Sequence, residues 1–397
     1  MMILRKAIPF CAVIFLVLAG YKKDHETPAN PGSPAISPDD CFQTNNVVGS
    51  QSVEGQYIIS YNSSATGSRG VSGTGLRSYG SELLSKNKID KAALKHSFSG
   101  GPGGLVARLS AEEVARLRQD ETVASIEPDR IISLGTCFTV AEPRLITWNI
   151  ERVGYGDGSG KRAWVIDSGI DFDHPDLVVD QAKSKSFVSG KTSADDENGH
   201  GTHVAGIIGG RNNTYGVLGV ASGATLVSLR VLDKEGKGLL SSIVQALAYI
   251  NENASAGDVV NLSVGNDEGV SEALDQQVRA TAARGIYIAI AAGNDKTSAN
   301  KFSPARANAT NVYTVSAVDS LDKFASFSNY GNDVIDFAAP GVKILSTFKN
   351  GGYAYMSGTS MAAPHVAGLL LLKGNKISSS GTAKNDPDGT PDPIAHY

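Results

Sequence analysis

The sequence predicts an α/β chain: a mostly parallel sheet with helices on both faces, preceded by a small α+β unit. Three features lead there. From residue 162 onward, short continuous apolar runs alternate with helix-period segments, and strands that are apolar throughout need cover on both faces. Between 56 and 132, shorter alternating strands surround one well-signalled helix. With 397 residues, 41% hydrophobic and 19% charged, the chain has ordinary globular composition and enough length for one large core plus a smaller one.

The N-terminus comes first. Arg5 and Lys6 precede the apolar run 7-AIPFCAVIFLVLAG-20, which ends in small residues. This pattern predicts a secretory signal peptide at 1–20. The alternative is an uncleaved anchor, against which the run is short for a membrane span. Leu18-Ala19-Gly20 looks like the end of a bacterial lipoprotein signal, but Tyr21 stands where a thiol would accept the lipid. The expectation is therefore a secreted, extracellular protein with lipid anchoring in doubt. Residues 21–55, with 27-TPANPGSPAISPDD-40, have linker composition and little to bury. A net charge of −4 shows no basic footprint, so no nucleic-acid partner is expected. Cys41 and Cys137 are the cysteines beyond the signal. They have the chemistry to pair in an oxidising compartment, but their spacing does not establish that they meet.

The unit at 56–132 reads as strand, helix, strand, helix, strand. 56-QYIISYN-62 alternates, and a Gly/Ser-rich gap follows at 63–75. A weak helix is expected from Glu82 to Leu94, then a strand at 104-GLVARLS-110. Ser110 with Glu113 three residues on forms a capping box before 111-AEEVARLRQD-120. 122-TVASIEPDRI-131 closes the unit as a strand.

The larger unit spans 133–397. Residues 133–150 read as an irregular connection. Strands are expected at 162–170, 224–233, 258–265, 286–294, 311–319 and 334–341, and helices at 202–210, 239–253 and 271–285. The tail 385-NDPDGTPDPIAHY-397 reads as loop. On such sheets, ligands bind beyond the carboxyl ends of strands, and the chemically expressive residues fall there. Asp167 ends the strand in 164-WVIDSGIDFDHPDL-177, His200 lies between glycines in 198-NGHGTHVAGI-207, and Ser360 is surrounded by small residues in 357-SGTSMAAPHVAG-368. A serine hydroxyl needs a base to become a nucleophile, histidine titrates in the right range, and a buried carboxylate fixes the imidazole tautomer. Taken singly, Asp167 also fits a turn, His200 a structural histidine and Ser360 an N-cap.

Taken together, 167-DSGID-171, 199-GHGTHVAG-206 and 358-GTSMAAPHVAG-368 resemble the signature blocks of the subtilisin-like serine proteases, over roughly 145–375. The order Asp, His, Ser is the one known for subtilisin. The resemblance implies Asp167 as orienting acid, His200 as base and Ser360 as nucleophile. It also implies that Asn294, in 291-AAGN-294, donates to the oxyanion with the Ser360 main-chain N–H. It assigns substrate contacts to Ser263, Val264 and Gly265, where peptide adds as a strand, and to Ala291, Ala292 and Gly293 along a tolerant pocket. Broad specificity is expected, with no catalytic cofactor. A structural calcium ion is implied on Asp176, Asn213 and the carbonyls of Arg211, Tyr215 and Val217, a set of oxygens suited to a hard cation; Arg144 stands where a further ligand is expected. His200 and His203 lack the glutamate of a zincin motif, so a metal hydrolase is disfavoured and His203 reads as a packing residue. The unit at 56–132 resembles the propeptide of these proteases. It is expected to act as an intramolecular inhibitor with its last strand in the substrate groove and a cut between about Ile132 and Thr147. The whole reads as a monomeric zymogen acting on proteins or peptides. The competing reading is a binding protein on the same scaffold.

Overall fold

The computed structural model describes residues 52–62, 73–100, 103–133, 137–140, 145–265 and 269–397. The expected signal peptide, the linker up to residue 51, Cys41 and its pairing with Cys137, and Arg144 lie outside the described residues, as do the side chains of 133–140.

The first unit contains β1 (Ser52–Tyr61), α1 (Gly73–Lys86), β2 (Leu94–Phe98), β3 (Gly104–Arg108), α2 (Ala111–Leu117) and β4 (Val123–Ser133). Its strands form an antiparallel sheet whose order, β4-β1-β3-β2, places β1 centrally. Ile59, Leu84, Leu105 and Leu117 are fully buried together in its core. The Ser110–Glu113 capping box forms as expected. The helix expected over 82–94 is corrected: α1 ends at Lys86, Lys88 takes a positive φ of 57°, and Leu94 opens β2. A left-handed residue that is not glycine interrupts the helical run there.

The larger unit follows with β5 (Cys137–Val140), α3 (Trp148–Val153), β6 (Gly156–Asp157), β7 (Arg162–Asp167), β8 (Val178–Val179), β9 (Lys185–Ser186), α4 (His200–Gly209), β10 (Ala221–Ser222), β11 (Thr225–Arg230), β12 (Lys237–Leu239), α5 (Leu240–Asn253), β13 (Val259–Leu262), α6 (Glu272–Ala282), β14 (Tyr287–Ala291), β15 (Val312–Val318), β16 (Ile335–Pro340), β17 (Ile344–Phe348), β18 (Gly352–Ser357), α7 (Thr359–Lys373), β19 (Ser378–Thr382) and β20 (Pro393–His396). The main sheet runs β19-β20-β16-β15-β14-β13-β7-β11-β8. All its pairings are parallel except β19 with β20.

Both faces are covered, as continuous apolar strands require. In β7, Ala163 and Val165 pack on the side of α4 and α7, while Trp164 and Ile166 face α5 and α6. Each of these larger apolar side chains, fully buried, contributes about 1.5–3 kcal/mol. The end of the tail is corrected from loop to strand, since Pro393–His396 forms β20 on the edge of β16 with Ala338 opposite Ile394, while 385–392 is loop as expected. The connection at 133–150 is more regular than expected, since it contains β5 and α3.

The two units share a sheet and a polar interface. Ile131 and Ile132 of β4 lie opposite Leu239 and Gly238 of β12. Asp129 accepts from the main-chain N–H of Ser241 at 2.9 Å and from its hydroxyl, at the start of α5. Glu127 accepts from the Ser271 hydroxyl at 2.6 Å and the Ala273 N–H at 3.1 Å, at the start of α6. Both carboxylates thus occupy the N-terminal turns of helices, where N–H groups lack helical partners.

Candidate functional site

Asp167 is the last residue of β7 and is fully buried. One of its oxygens accepts from the Ser168 N–H at 2.7 Å and from His200 Nδ1 at 2.8 Å. His200, also fully buried, is the first residue of α4. Its close approach depends on two glycines. Gly199 has φ 115°, a conformation open to glycine and strained for other residues. At Gly201 a β-carbon would lie 2.1 Å from the Gly169 carbonyl oxygen and 3.0 Å from Asp167 Cβ. The Asp167 bond fixes the His200 proton on Nδ1 and turns Nε2 into the free acceptor; Nε2 is buried without a protein partner.

Ser360 is the second residue of α7, where main-chain N–H groups have no helical acceptor. Its hydroxyl donates to the Ser263 carbonyl at 3.0 Å. Four residues on, Pro364 stands inside the helix and brings no N–H for the Ser360 carbonyl. That carbonyl instead accepts the Ser263 hydroxyl at 2.9 Å. Asn261 in turn donates to Ser263 Oγ at 2.8 Å. The proline in the serine block thus leaves an acceptor for β13's extension to bind.

Asn294 follows β14. Its side-chain oxygen accepts from the Thr359 N–H at 2.9 Å and the Thr359 hydroxyl at 3.1 Å. Two donors on the oxygen fix the amide's orientation and leave Nδ2 as the outward donor beside α7's first turn. Thr359 Oγ1 also accepts from the Gly293 N–H at 3.1 Å. Ser263, Val264 and Gly265 extend β13 on one side, with Ser263 and Val264 buried, and Ala291, Ala292 and Gly293 extend β14 on the other. All these residues lie beyond or at the carboxyl ends of parallel strands.

His203 lies apart from this chemistry. Its Nε2 contacts the carbonyls of Ile344 and Ala354 at 2.9 and 3.1 Å, and burial, with His200 nearby, pushes its pKa down to about 3. It ties α4 to the β17–β18 hairpin, an element the sequence analysis leaves out. The signal is present: Lys349-Asn350-Gly351 separates ILSTF from GYAYMS, an Asn-Gly turn between two strand-forming runs. Also left out was β12, whose ladder with Ile131–Ser133 is the strand pairing that the structure gives to the end of β4.

Asp176 and Asn213 come together. The Asn213 amide donates to Asp176 Oδ1 at 3.0 Å and the Val217 N–H to Oδ2 at 2.8 Å, and the Tyr353 hydroxyl lies 3.4 Å from the same oxygen. Asp176 is fully buried, and burial pushes its pKa up. Among the described residues no lysine or arginine pairs with it. The carboxylate is a hard anionic ligand with no cationic side chain to balance it, but Asn213 turns its N–H2 toward it and its own amide oxygen accepts the Tyr215 N–H at 2.8 Å.

Comparison with known proteins places these residues in context. A model of the subtilase family matches residues 161–384, and a model of the peptidase inhibitor I9 family matches residues 56–135. The chain is 39% identical over 295 residues to the alkaline serine exoprotease A of Vibrio alginolyticus, covering 71% of this chain and 53% of that protein. It therefore spans about half the length of that relative. It is 38% identical over 318 residues to the extracellular serine proteinase of Thermus sp. (strain Rt41A), covering 77% and 72%. Among solved structures, a cold adapted subtilisin-like serine proteinase matches with a TM-score of 0.56 and 33% identity, over 64% of this chain and 98% of that one.

Proposed function

The chain belongs to the subtilase family, and on that premise we propose that it is a secreted serine endopeptidase of broad specificity, synthesised as a self-processing zymogen. The observation that carries this reading is the buried His200–Asp167 bond, which leaves Nε2 as an unpartnered acceptor. In the proposed reaction the Ser360 hydroxyl leaves the Ser263 carbonyl, gives its proton to His200 Nε2 and attacks the peptide carbonyl carbon. Asp167 holds Nδ1–H and stabilises the imidazolium. Asn294 Nδ2 and the Ser360 N–H donate to the tetrahedral oxyanion. His200 then protonates the departing amine, which leaves an acyl-enzyme on Ser360. Water, deprotonated by the same imidazole, releases the acid.

Extended peptide is proposed to bind between Ser263–Gly265 and β12, with its side chain before the cut beside Ala291–Gly293. The small walls at that pocket support tolerance. The unit at 56–132 is proposed as propeptide and inhibitor. Ser133 is the last residue of β4 paired with β12, and Cys137 is the first of β5 paired with β18, opposite Ser357. Ser357 stands three residues before the nucleophile, so we place the processing cut between Ser133 and Cys137. A calcium ion is proposed on Asp176, Asn213 and the carbonyls of Arg211, Tyr215 and Val217. When bound there it would supply positive charge to a buried carboxylate and no catalytic step. Export through the 1–20 signal peptide and a monomeric state complete the proposal.

Ser360→Ala tests it. The variant should retain an unprocessed chain and lose casein cleavage, and the parent should be labelled at Ser360 by a fluorophosphonate. Normal processing by the variant, or a parent that does not react, would overturn the protease reading in favour of a binding protein on this scaffold.

A further inference from the structure

Asp196 takes no part in the chemistry proposed above, yet it is buried and its carboxylate receives five donors. Oδ1 accepts from the Asn198 N–H at 2.9 Å, the Gly199 N–H at 2.9 Å and the Ser168 hydroxyl at 3.0 Å. Oδ2 accepts from the Thr202 N–H at 3.0 Å and the Thr202 hydroxyl at 2.6 Å. Every donor sits next to a catalytic residue or within two positions of one. Ser168 follows Asp167, and Gly199 precedes His200. The Ser168 hydroxyl itself accepts from the Gly201 N–H at 3.0 Å, on the other side of His200.

These bonds close a ring. It runs from Asp167 through the peptide to Ser168, across to Asp196, through Gly199 to His200, and back by the 2.8 Å His200–Asp167 bond. Gly199, as N-cap of α4, has no side chain to satisfy the helix's first N–H groups. Asp196 and Ser168 supply those acceptors from outside the helix, so the cap of α4 is built on the strand that ends in Asp167. A second lashing holds the same loop from the sheet side. Arg230, buried at the end of β11, donates to the Asp195 carbonyl and to Glu197, both at 2.9 Å.

We propose that Asp196 is a positioning residue, which with Ser168 sets the distance and angle of the His200–Asp167 bond by tying the start of α4 to the end of β7. The inference rests on the serine-protease reading of the site. An amide at 196 cannot serve both groups of donors: with its oxygen toward Gly199 and Ser168, its N–H2 faces the Thr202 N–H, and the reverse orientation fails on the other side. Misplacing the base relative to its acid is the type of change that costs rate rather than substrate affinity.

The test compares the parent, Asp196→Asn and Ser168→Ala as full-length chains allowed to process, with turnover counted per active site titrated by a fluorophosphonate. Asp196→Asn should lower kcat at least tenfold with KM changed less than twofold, and Ser168→Ala should lower it by a smaller factor in the same pattern. Both should shift the acid limb of the kcat/KM pH profile and the low-field proton resonance of His200 Nδ1–H, which a loss of stability alone would not move. If Asp196→Asn yields no folded enzyme, Ser168→Ala decides the matter. Titrated turnover, pH limb and proton resonance all equal to the parent would overturn the positioning role. A parent inert to the fluorophosphonate would instead sink the protease reading beneath it.

Discussion

Ser263 and Ser360 exchange hydrogen bonds: the hydroxyl of each donates to the main-chain carbonyl of the other, at 2.9 and 3.0 Å. One bond stores the proposed nucleophile's proton on a neutral acceptor. The other satisfies a carbonyl that Pro364 leaves without its helical donor. Ser263→Ala removes the second bond and strands that carbonyl, at a cost of about 1–3 kcal/mol. The expected result is a lower melting temperature, measured in a Ser360→Ala background that cannot digest itself, and a reduced kcat in the otherwise intact enzyme. An unchanged melting temperature would show that the Ser360 carbonyl finds another donor.

Gly201 bears on the geometry more directly. A methyl at this position would overlap the Gly169 carbonyl oxygen, at 2.1 Å, and press on Asp167 Cβ, at 3.0 Å. Backbone on one side and the buried acid on the other leave little room to yield, so α4 must shift away from β7. Gly201→Ala is expected to destabilise the chain by about 1–3 kcal/mol and to lower kcat/KM by on the order of a hundredfold through displacement of His200. Urea denaturation and steady-state kinetics on titrated enzyme check the two parts separately.

The parallel sheet was legible from apolar runs of strand length, whereas Asp167, His200, Ser360 and Asn294 were singled out only by the resemblance of their blocks to the subtilisin-like proteases, since each alone also fits a turn, a structural residue or a cap. What was not legible depends on partners distant in sequence. β20 forms only because β16 offers a free edge, and 393-PIAH-396 carries too few residues to announce a strand. β12 is three residues long and gains its ladder from Ile131–Ser133, more than a hundred positions earlier. The β17–β18 hairpin is different, since Asn350-Gly351 was a visible turn signal. Asp196 reads as one more loop acid until the ring through Ser168 is seen.

Asp176 provides a test by metal removal. The buried carboxylate has amide, N–H and hydroxyl partners but no side-chain cation among the described residues. If calcium supplies the positive charge, millimolar calcium should raise the melting temperature of the Ser360→Ala chain and a chelator should lower it. At a hundredfold excess over Kd the gain is about 2.7 kcal/mol. Asp176→Asn should abolish the difference, and calorimetric titration should show binding to the parent alone. Equal melting temperatures with calcium and with chelator would remove the ion from the proposal.

Glu127 sets a pH dependence on the proposed inhibition. Burial against α6 pushes its pKa up to about 7, opposed by the Ser271 and Ala273 donors and by Arg130, with Asp275 adding to the rise. Freed from the interface, the same carboxyl returns toward its ordinary 4.5. An acid whose pKa is higher in the complex takes up a proton on binding. Association is therefore favoured at low pH, weakens as pH rises from about 4.5 to 7, and levels off above that. Between pH 6 and 8 the cleaved propeptide should bind roughly tenfold more weakly, in line with the factor of ten per pKa unit. The apparent inhibition constant, measured across that interval on processed enzyme, should rise by this factor in the parent. In Glu127→Gln, whose amide stays neutral throughout, it should stay flat. A parent whose inhibition tightens with pH would mean that the helix N-terminus stabilises the Glu127 anion more than burial penalises it.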